Sequence, residues 1–191
     1  MYYQPDQGHG LPRDPMTSLV APRPIAWIST VNQAGLVNLA PFSFYNIVST
    51  RPPAVMFSCS GPKHTGHNAQ ATGEFVVNVP SYDMRDAMMA TSQDVEAGVS
   101  EAELAGVEMA PSVAVRPPRV KGSRVALECR YLQTVQLDFN EVVFGRVVGV
   151  FIDDALLVDG HVQWPEGKLL YRLGYLNYGT VGRSFAMGRP K

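Results

Sequence analysis

The stretch Ile25-Ala26-Trp27-Ile28-Ser29-Thr30-Val31-Asn32-Gln33-Ala34-Gly35-Leu36-Val37-Asn38-Leu39-Ala40 decides the class of fold. It holds two β-type runs, Ile25 to Val31 and Leu36 to Ala40, around the turn Asn32 to Gly35. Runs of this kind on either side of an Asn- and Gly-containing turn predict an antiparallel hairpin. The same punctuation continues outward. Ala54 to Ser58 is a short run closed by Arg51-Pro52-Pro53 before it and Gly61-Pro62 after it, and Phe75 to Val79 is another that ends at Pro80. Ser123 to Gln136 and Val142 to Ile152 predict long strands. Ala155 to Val158 and Leu169 to Arg172 predict short ones, with Asp153-Asp154 and Asp159-Gly160 as turns.

Three helical pieces interrupt the strands. His64 to Thr72 is short and has no strong apolar stripe; Ser81 opens a second piece whose Met84, Ala87 and Met88 share one face. A third starts at Ser100, where Glu103 completes a capping box and Gly106 follows the end. Residues 1–22 carry four prolines and two glycines, which leaves a lead-in segment with only a brief turn near Met16 to Val20. The remainder, 23–191, reads as one domain. Helices placed irregularly among antiparallel strands favour a barrel with helical additions over a doubly wound parallel sheet.

Composition narrows the function classes. The chain has 191 residues, 46% of them hydrophobic and 17% charged, with a net charge of −1, so its bulk is not disordered. Sixteen basic against seventeen acidic residues give no electrostatic footprint for nucleic acid or an anionic membrane surface. No run approaches the ~18 apolar residues of a membrane helix, and the start Met1-Tyr2-Tyr3-Gln4-Pro5-Asp6 lacks the pattern of a signal peptide. The two cysteines, Cys59 and Cys129, are too few for a disulfide framework, so a reducing compartment, the cytoplasm, is expected.

Three segments are candidates for chemistry. In Asn38-Leu39-Ala40-Pro41-Phe42-Ser43-Phe44-Tyr45-Asn46, Pro41 removes a ladder donor, so the chain is expected to leave the sheet. The segment reads either as an ordinary loop or as a wall for a flat heteroaromatic ring, with main-chain groups for its polar edge and Phe42 or Phe44 for its face. In Ser58-Cys59-Ser60-Gly61-Pro62-Lys63-His64-Thr65-Gly66-His67-Asn68, a hydroxyl-rich turn and a Lys precede a helix start with Thr65 available as cap. Either this is a capped surface helix with a solvated Lys, or exposed N–H groups, helix dipole and Lys63 together hold a phosphate. Cys59, His64 and His67 match no standard metal spacing, and Cys59 has no evident base, so no metal and no catalytic nucleophile are expected. Both thiols read as buried and inert. The third segment, Tyr171-Arg172-Leu173-Gly174-Tyr175-Leu176-Asn177-Tyr178-Gly179, is either an aromatic-capped loop or a ligand-stacking one.

At these segments the chain resembles the flavin reductase-like family, the FMN-binding split-barrel group that includes flavoredoxin-type proteins. The resemblance is carried by Pro22-Arg23-Pro24-Ile25-Ala26-Trp27-Ile28-Ser29-Thr30, Gly35 through Asn46, Pro52-Pro53, Lys63-His64-Thr65 with Asn68, and Gly73-Glu74-Phe75-Val76-Val77-Asn78. Pro118-Arg119-Val120, Leu127-Glu128-Cys129, Gly145-Arg146-Val147 and Arg172-Leu173-Gly174 follow in the family's order. It implies a mainly β protein, a six-stranded antiparallel Greek-key split barrel working as a homodimer with FMN near the interface. On that resemblance the flavin ring would lie against Asn38, Ala40, Pro41, Phe42 and Ser43. Ser58, Cys59 and Ser60 would follow the ribityl chain, Lys63, Thr65 and Asn68 would hold the phosphate, and Arg172 and Tyr178 would complete the site, from either chain. Two positions depart from the family's usual pattern: His64, where an acid is usual, and Tyr175, where a second Gly commonly follows Arg-Leu-Gly.

The implied activity is an FMN oxidoreductase in which NADH or NADPH reduces the flavin, which then serves an acceptor or a partner oxygenase. The cofactor carries the chemistry, so no side chain need act as acid or base. The rival is a non-catalytic, flavodoxin-like carrier that keeps FMN bound and takes electrons from a protein donor.

Overall fold

The computed structural model describes residues 1–96 and 98–188; residue 97 and residues 189–191, where the expected domain ends, lie outside the described part. The Ile25–Ala40 stretch is a hairpin, with strand β1 (Ala26–Val31) antiparallel to β2 (Val37–Phe42). Its turn is held by the Asn32 side chain, whose Oδ1 accepts from the Ala34 and Leu36 N–H groups at 2.9 Å each, while Gly35 takes φ +85°. Strands β3 (Tyr45–Thr50) and β4 (Pro53–Ser60) form a second hairpin. Helix α1 (His64–Thr72) ends at Gly73, φ +78°, and leads into β5 (Glu74–Asn78). A 3-10 turn, Tyr82–Met84, precedes α2 (Arg85–Ala90); α3 (Glu101–Leu104) follows. The long hairpin β6 (Val125–Leu137) and β7 (Asn140–Ile152) comes next, then β8 (Leu170–Arg172) and β9 (Tyr178–Thr180).

The principal sheet runs β2-β1-β5-β6-β7-β4-β3, with every pairing antiparallel. That order forces closure. Seven strands laid flat would hold their outer edges about 29 Å apart, at about 4.8 Å per gap. Yet β2 ends at Phe42 and β3 begins at Tyr45, three residue steps that reach at most about 11 Å. The sheet therefore curls until its edges meet. They are not paired to each other, which leaves the barrel split along that seam.

Two cores flank β1, which is buried along its whole length. Ala26 and Ile28 face the barrel interior with Phe57, Cys59, Phe75, Cys129 and Val143. Ile25 and Trp27 face the other way, against Leu39, Met88, Ala102 and Leu170, so α2 and α3 cover the outside of the strand. Met84 and Ala87 pack on this second cluster with Met88, as their spacing predicts. The Trp27 Nε1 donates to Thr91 Oγ1 at 2.8 Å, which satisfies the indole within an apolar layer.

Four local expectations are corrected. The chain does not leave the sheet at Pro41: β2 continues through it, with Pro41 opposite Trp27 and Phe42 opposite Ala26. Proline is tolerated because β2 is an edge strand with one unpaired side. Tyr45–Thr50, where the sequence predicts no strand, is the other edge strand, and the principal sheet has seven strands where the resemblance implies six. Thr65 is not the cap of α1; Lys63 occupies that position and no side chain caps the helix. The predicted strand Ala155–Val158 starts instead as a 3-10 turn, Asp154–Leu156, because Asp153 Oδ1 accepts from the Ala155 N–H at 2.9 Å.

Candidate functional site

The seam of the barrel opens into a cleft of ≈ 430 Å³. One wall is the end of β2 and the bend after it, Asn38 and Ala40 to Phe44; the Phe44 carbonyl accepts from the Ser58 N–H at 2.8 Å, which pins the bend to β4. The strand β4 supplies Ser58 and Ser60, and the start of α1 supplies Pro62, Lys63, His64 and Thr65. The loop after α2, Thr91 to Val95, and Glu101 close the remaining side.

Asn38 is held by a buried polar network. Its Nδ2 donates to Glu101 Oε1 at 2.6 Å, and its Oδ1 accepts from Thr65 Oγ1 at 2.7 Å and Thr30 Oγ1 at 3.2 Å. Glu101 Oε2 accepts from the Leu39 N–H at 3.1 Å, and Asn68 Nδ2 donates to Thr30 Oγ1 at 3.2 Å. Four elements, β1, β2, α1 and α3, are thereby locked to one side chain. All of these residues are buried, and a satisfied network in a low-dielectric setting is rigid. Glu101 and Thr30 are members of this network that the sequence alone does not single out. A hydroxyl inside the apolar run Ile25–Val31 was the one signal for Thr30, and the capping box at Ser100 placed α3 without saying where its first acid points.

At the other end of the cleft Lys63 stands before the uncapped first turn of α1, with its Nζ 2.7 Å from Asp94 Oδ1. An uncapped nine-residue helix beside a Lys leaves N–H donors and a full positive charge for an anion. A ligand with a flat ring and one phosphate fits these residues: a main-chain and aromatic wall at one end, two hydroxyls midway, and a cation with helix N–H groups at the other.

Not every expected residue reaches this cleft. The side chain of Cys59 points into the barrel core, because residues alternate along β4 and Ser58 and Ser60 take the cleft side. Burial pushes its thiol up to about 12, with the Glu141 carboxylate adding to the shift, and Cys129 is raised in the same way by burial. Both cysteines are free. Asn68 is buried behind the cleft and lines a separate cavity with His67, so it reaches the site only through Thr30. Arg172 and Tyr178 line an adjoining cavity of ≈ 350 Å³ that shares Pro41, Phe42, Ser43, Phe44 and Ser92 with the cleft. Among the described residues, no helix is long and apolar enough to cross a membrane.

The sequence and the fold have counterparts among known proteins. The profile described as "Flavin reductase like domain" matches residues 17–173. A protein of Aquifex aeolicus is 36% identical over 162 residues, covering 82% of this chain and 83% of its own. Among solved structures, nitrilotriacetate monooxygenase component B from Bacillus cereus superposes with a TM-score of 0.90 at 27% identity, covering 98% of each chain. The 2-nitrobenzoate 2-nitroreductase NbaA of Pseudomonas fluorescens superposes with a TM-score of 0.83 at 28% identity, covering 92% of this chain and 88% of its own.

Proposed function

The chain belongs to the flavin reductase-like family of split-barrel flavin oxidoreductases, and from that premise we propose that it binds FMN in the seam cleft and passes electrons from NADH or NADPH to an acceptor. The observation that carries this is the pairing of Lys63 and the uncapped start of α1 with the flat wall Ala40 to Ser43, at opposite ends of one cleft. The bound flavin supplies reversible hydride acceptance, chemistry that no side chain in the cleft offers.

The chain's own residues position and tune it. Asn38, fixed by Glu101 and Thr65, offers an oriented amide at the polar edge of the ring, and a preorganised dipole needs no reorganisation when charge develops. Ser58 and Ser60 would hold the ribityl chain, and Lys63, paired with Asp94, would hold the phosphate. Asn68 acts through Thr30 as a positioning residue.

The working unit in this reading is a homodimer. Ile47 and Val48 on β3 and Val135, Leu137 and Phe139 near the tip of the long hairpin are exposed, with Phe139 69% open. A second copy would cover apolar side chains of this kind, and light scattering of the purified protein at twice the monomer mass is the check. The resemblance to an oxygenase component supports a partner oxygenase as recipient of the electrons. A reducing compartment, the cytoplasm, suits two free cysteines.

The test is the absorption spectrum of the purified protein mixed with FMN and then NADH or NADPH under anaerobic conditions. Bleaching of the flavin band with matching loss of the nicotinamide band is expected. Retained FMN that neither nucleotide bleaches would replace the reductase with the carrier reading, and no flavin binding would sink both.

A further inference from the structure

The adjoining cavity contains an electrostatic imbalance that the flavin cleft does not resolve. Arg23 and Arg172 lie directly opposite each other, because the short strand Arg23–Pro24 pairs with β8 in the register Arg23 to Arg172. Like charges directly across a ladder destabilise it. Among the described residues neither guanidinium forms an ion pair with a carboxylate. Arg23 is only 8% exposed, and both burial and the Arg172 charge pull its pKa down. Its terminal nitrogens donate to the carbonyls of Thr17, Val20 and Leu173, yet its Nε is buried with no partner, the one such side-chain atom among the described residues.

The surroundings are built to present Arg172. Its guanidinium carbon stacks 4.2 Å from the centre of the Tyr178 ring, and it donates to the Tyr175 carbonyl. Tyr175 takes φ +56°, a left-handed conformation that a bulky side chain adopts only at a cost. Met88, Met89 and Phe44 supply an apolar wall.

We propose that Arg23 and Arg172 form an anion site that seats the carboxylate of a flat organic acid, its ring lying in the cavity next to the flavin cleft. A carboxylate supplies the missing counter-charge, and a planar fork such as Arg172 recognises it with directional hydrogen bonds. The shared wall Pro41 to Phe44 brings the acid's ring beside the position proposed for the flavin. The placement beside a flavin rests on the proposed function; the charge recognition does not.

The experiment is calorimetric titration of the folded protein, with and without FMN, using sodium benzoate and its uncharged isostere benzamide. Benzoate is expected to bind about tenfold or more tightly than benzamide, the value of one hydrogen bond to a charged group. Arg172→Gln is expected to abolish that preference and Arg172→Lys to retain part of it. Arg172 is partly exposed, so these variants fold where an Arg23 variant need not, and their melting temperatures verify it. Equal binding of benzoate and benzamide, or an Arg172→Gln protein that still prefers benzoate, would overturn the site. Tight binding of ADP-ribose with none of benzoate would overturn the carboxylate and put a dinucleotide pyrophosphate in its place. Failure of FMN to bind in a separate titration would sink the cofactor reading while leaving the benzoate preference to stand or fall by itself.

Discussion

The strand β4 has two faces that differ in every respect although their residues alternate one by one. Inward, Phe57 and Cys59 are completely buried, and the Phe57 ring meets Phe75 edge-on at 5.3 Å and Phe42 at 5.2 Å. Outward, Ser58 and Ser60 line the cleft, together with a polar network and an exposed Lys–Asp pair. The inner face gives stability with no access to ligand, and the outer face gives access with little to contribute to stability. The site is therefore a surface laid over the core and joined to it at Phe42, which lines the cleft and packs on Phe57.

Substitutions separate the two faces. The largest effect is expected from Phe57→Ala, which empties the centre of the barrel and lowers unfolding free energy by about 3–5 kcal/mol; urea denaturation measures it. A loss under 1 kcal/mol would break the claim that the inner face holds the fold. Glu101→Gln comes next, because it turns one acceptor of the Asn38 and Leu39 N–H groups into a donor. It is expected to cost about 1–3 kcal/mol of stability and to weaken FMN, so that stability and ligand binding move together. Lys63→Ala is expected to weaken FMN about tenfold while leaving the midpoint in urea unmoved. Riboflavin, which has no phosphate, serves as control, and equal loss for both ligands would remove Lys63 from the phosphate.

The smallest effect is a pH signature of the inner face. The Cys59 thiol has a folded pKa of about 12 against an ordinary 9.0, so the folded state keeps its proton longer than the unfolded one. Its contribution is complete below the ordinary value and is lost as pH rises toward the folded one, amounting to under about 1 kcal/mol by about pH 9.5. Denaturation of wild type and Cys59→Ala between neutral pH and that point reads the difference in slope. FMN affinity in the variant is expected to stay within about twofold, since the thiol does not face the cleft.

The hairpin at Ile25–Ala40, the helix His64–Thr72 and the long pair near residues 123–152 were legible because each is set by local pattern and punctuation. Pro62 and Gly73 bracket the helix, and an Asn–Gly turn closes the first hairpin. Pro41 misled because its rule concerns a strand paired on both sides, and only the finished sheet reveals which strands are edges. Tyr45–Thr50 lacks alternation because it lies exposed at that edge. Of the candidate site, Asn38, Ala40 to Ser43, Ser58, Ser60, Lys63 and Thr65 reach one cleft. Strict alternation after Ser58 already implied that Cys59 points the other way.

Local pattern sets where most of the chain is β, where it turns, and that a Lys precedes a helix start, because these depend on neighbours a few residues away. Tertiary structure alone decided that two hairpins roll until their edges meet, that Glu101 holds Asn38 across 63 positions, and that Arg23 faces Arg172 with no carboxylate between them. Such contacts join residues far apart in the chain, and no local periodicity records them. They arise only when burial of the barrel core brings the strands into register.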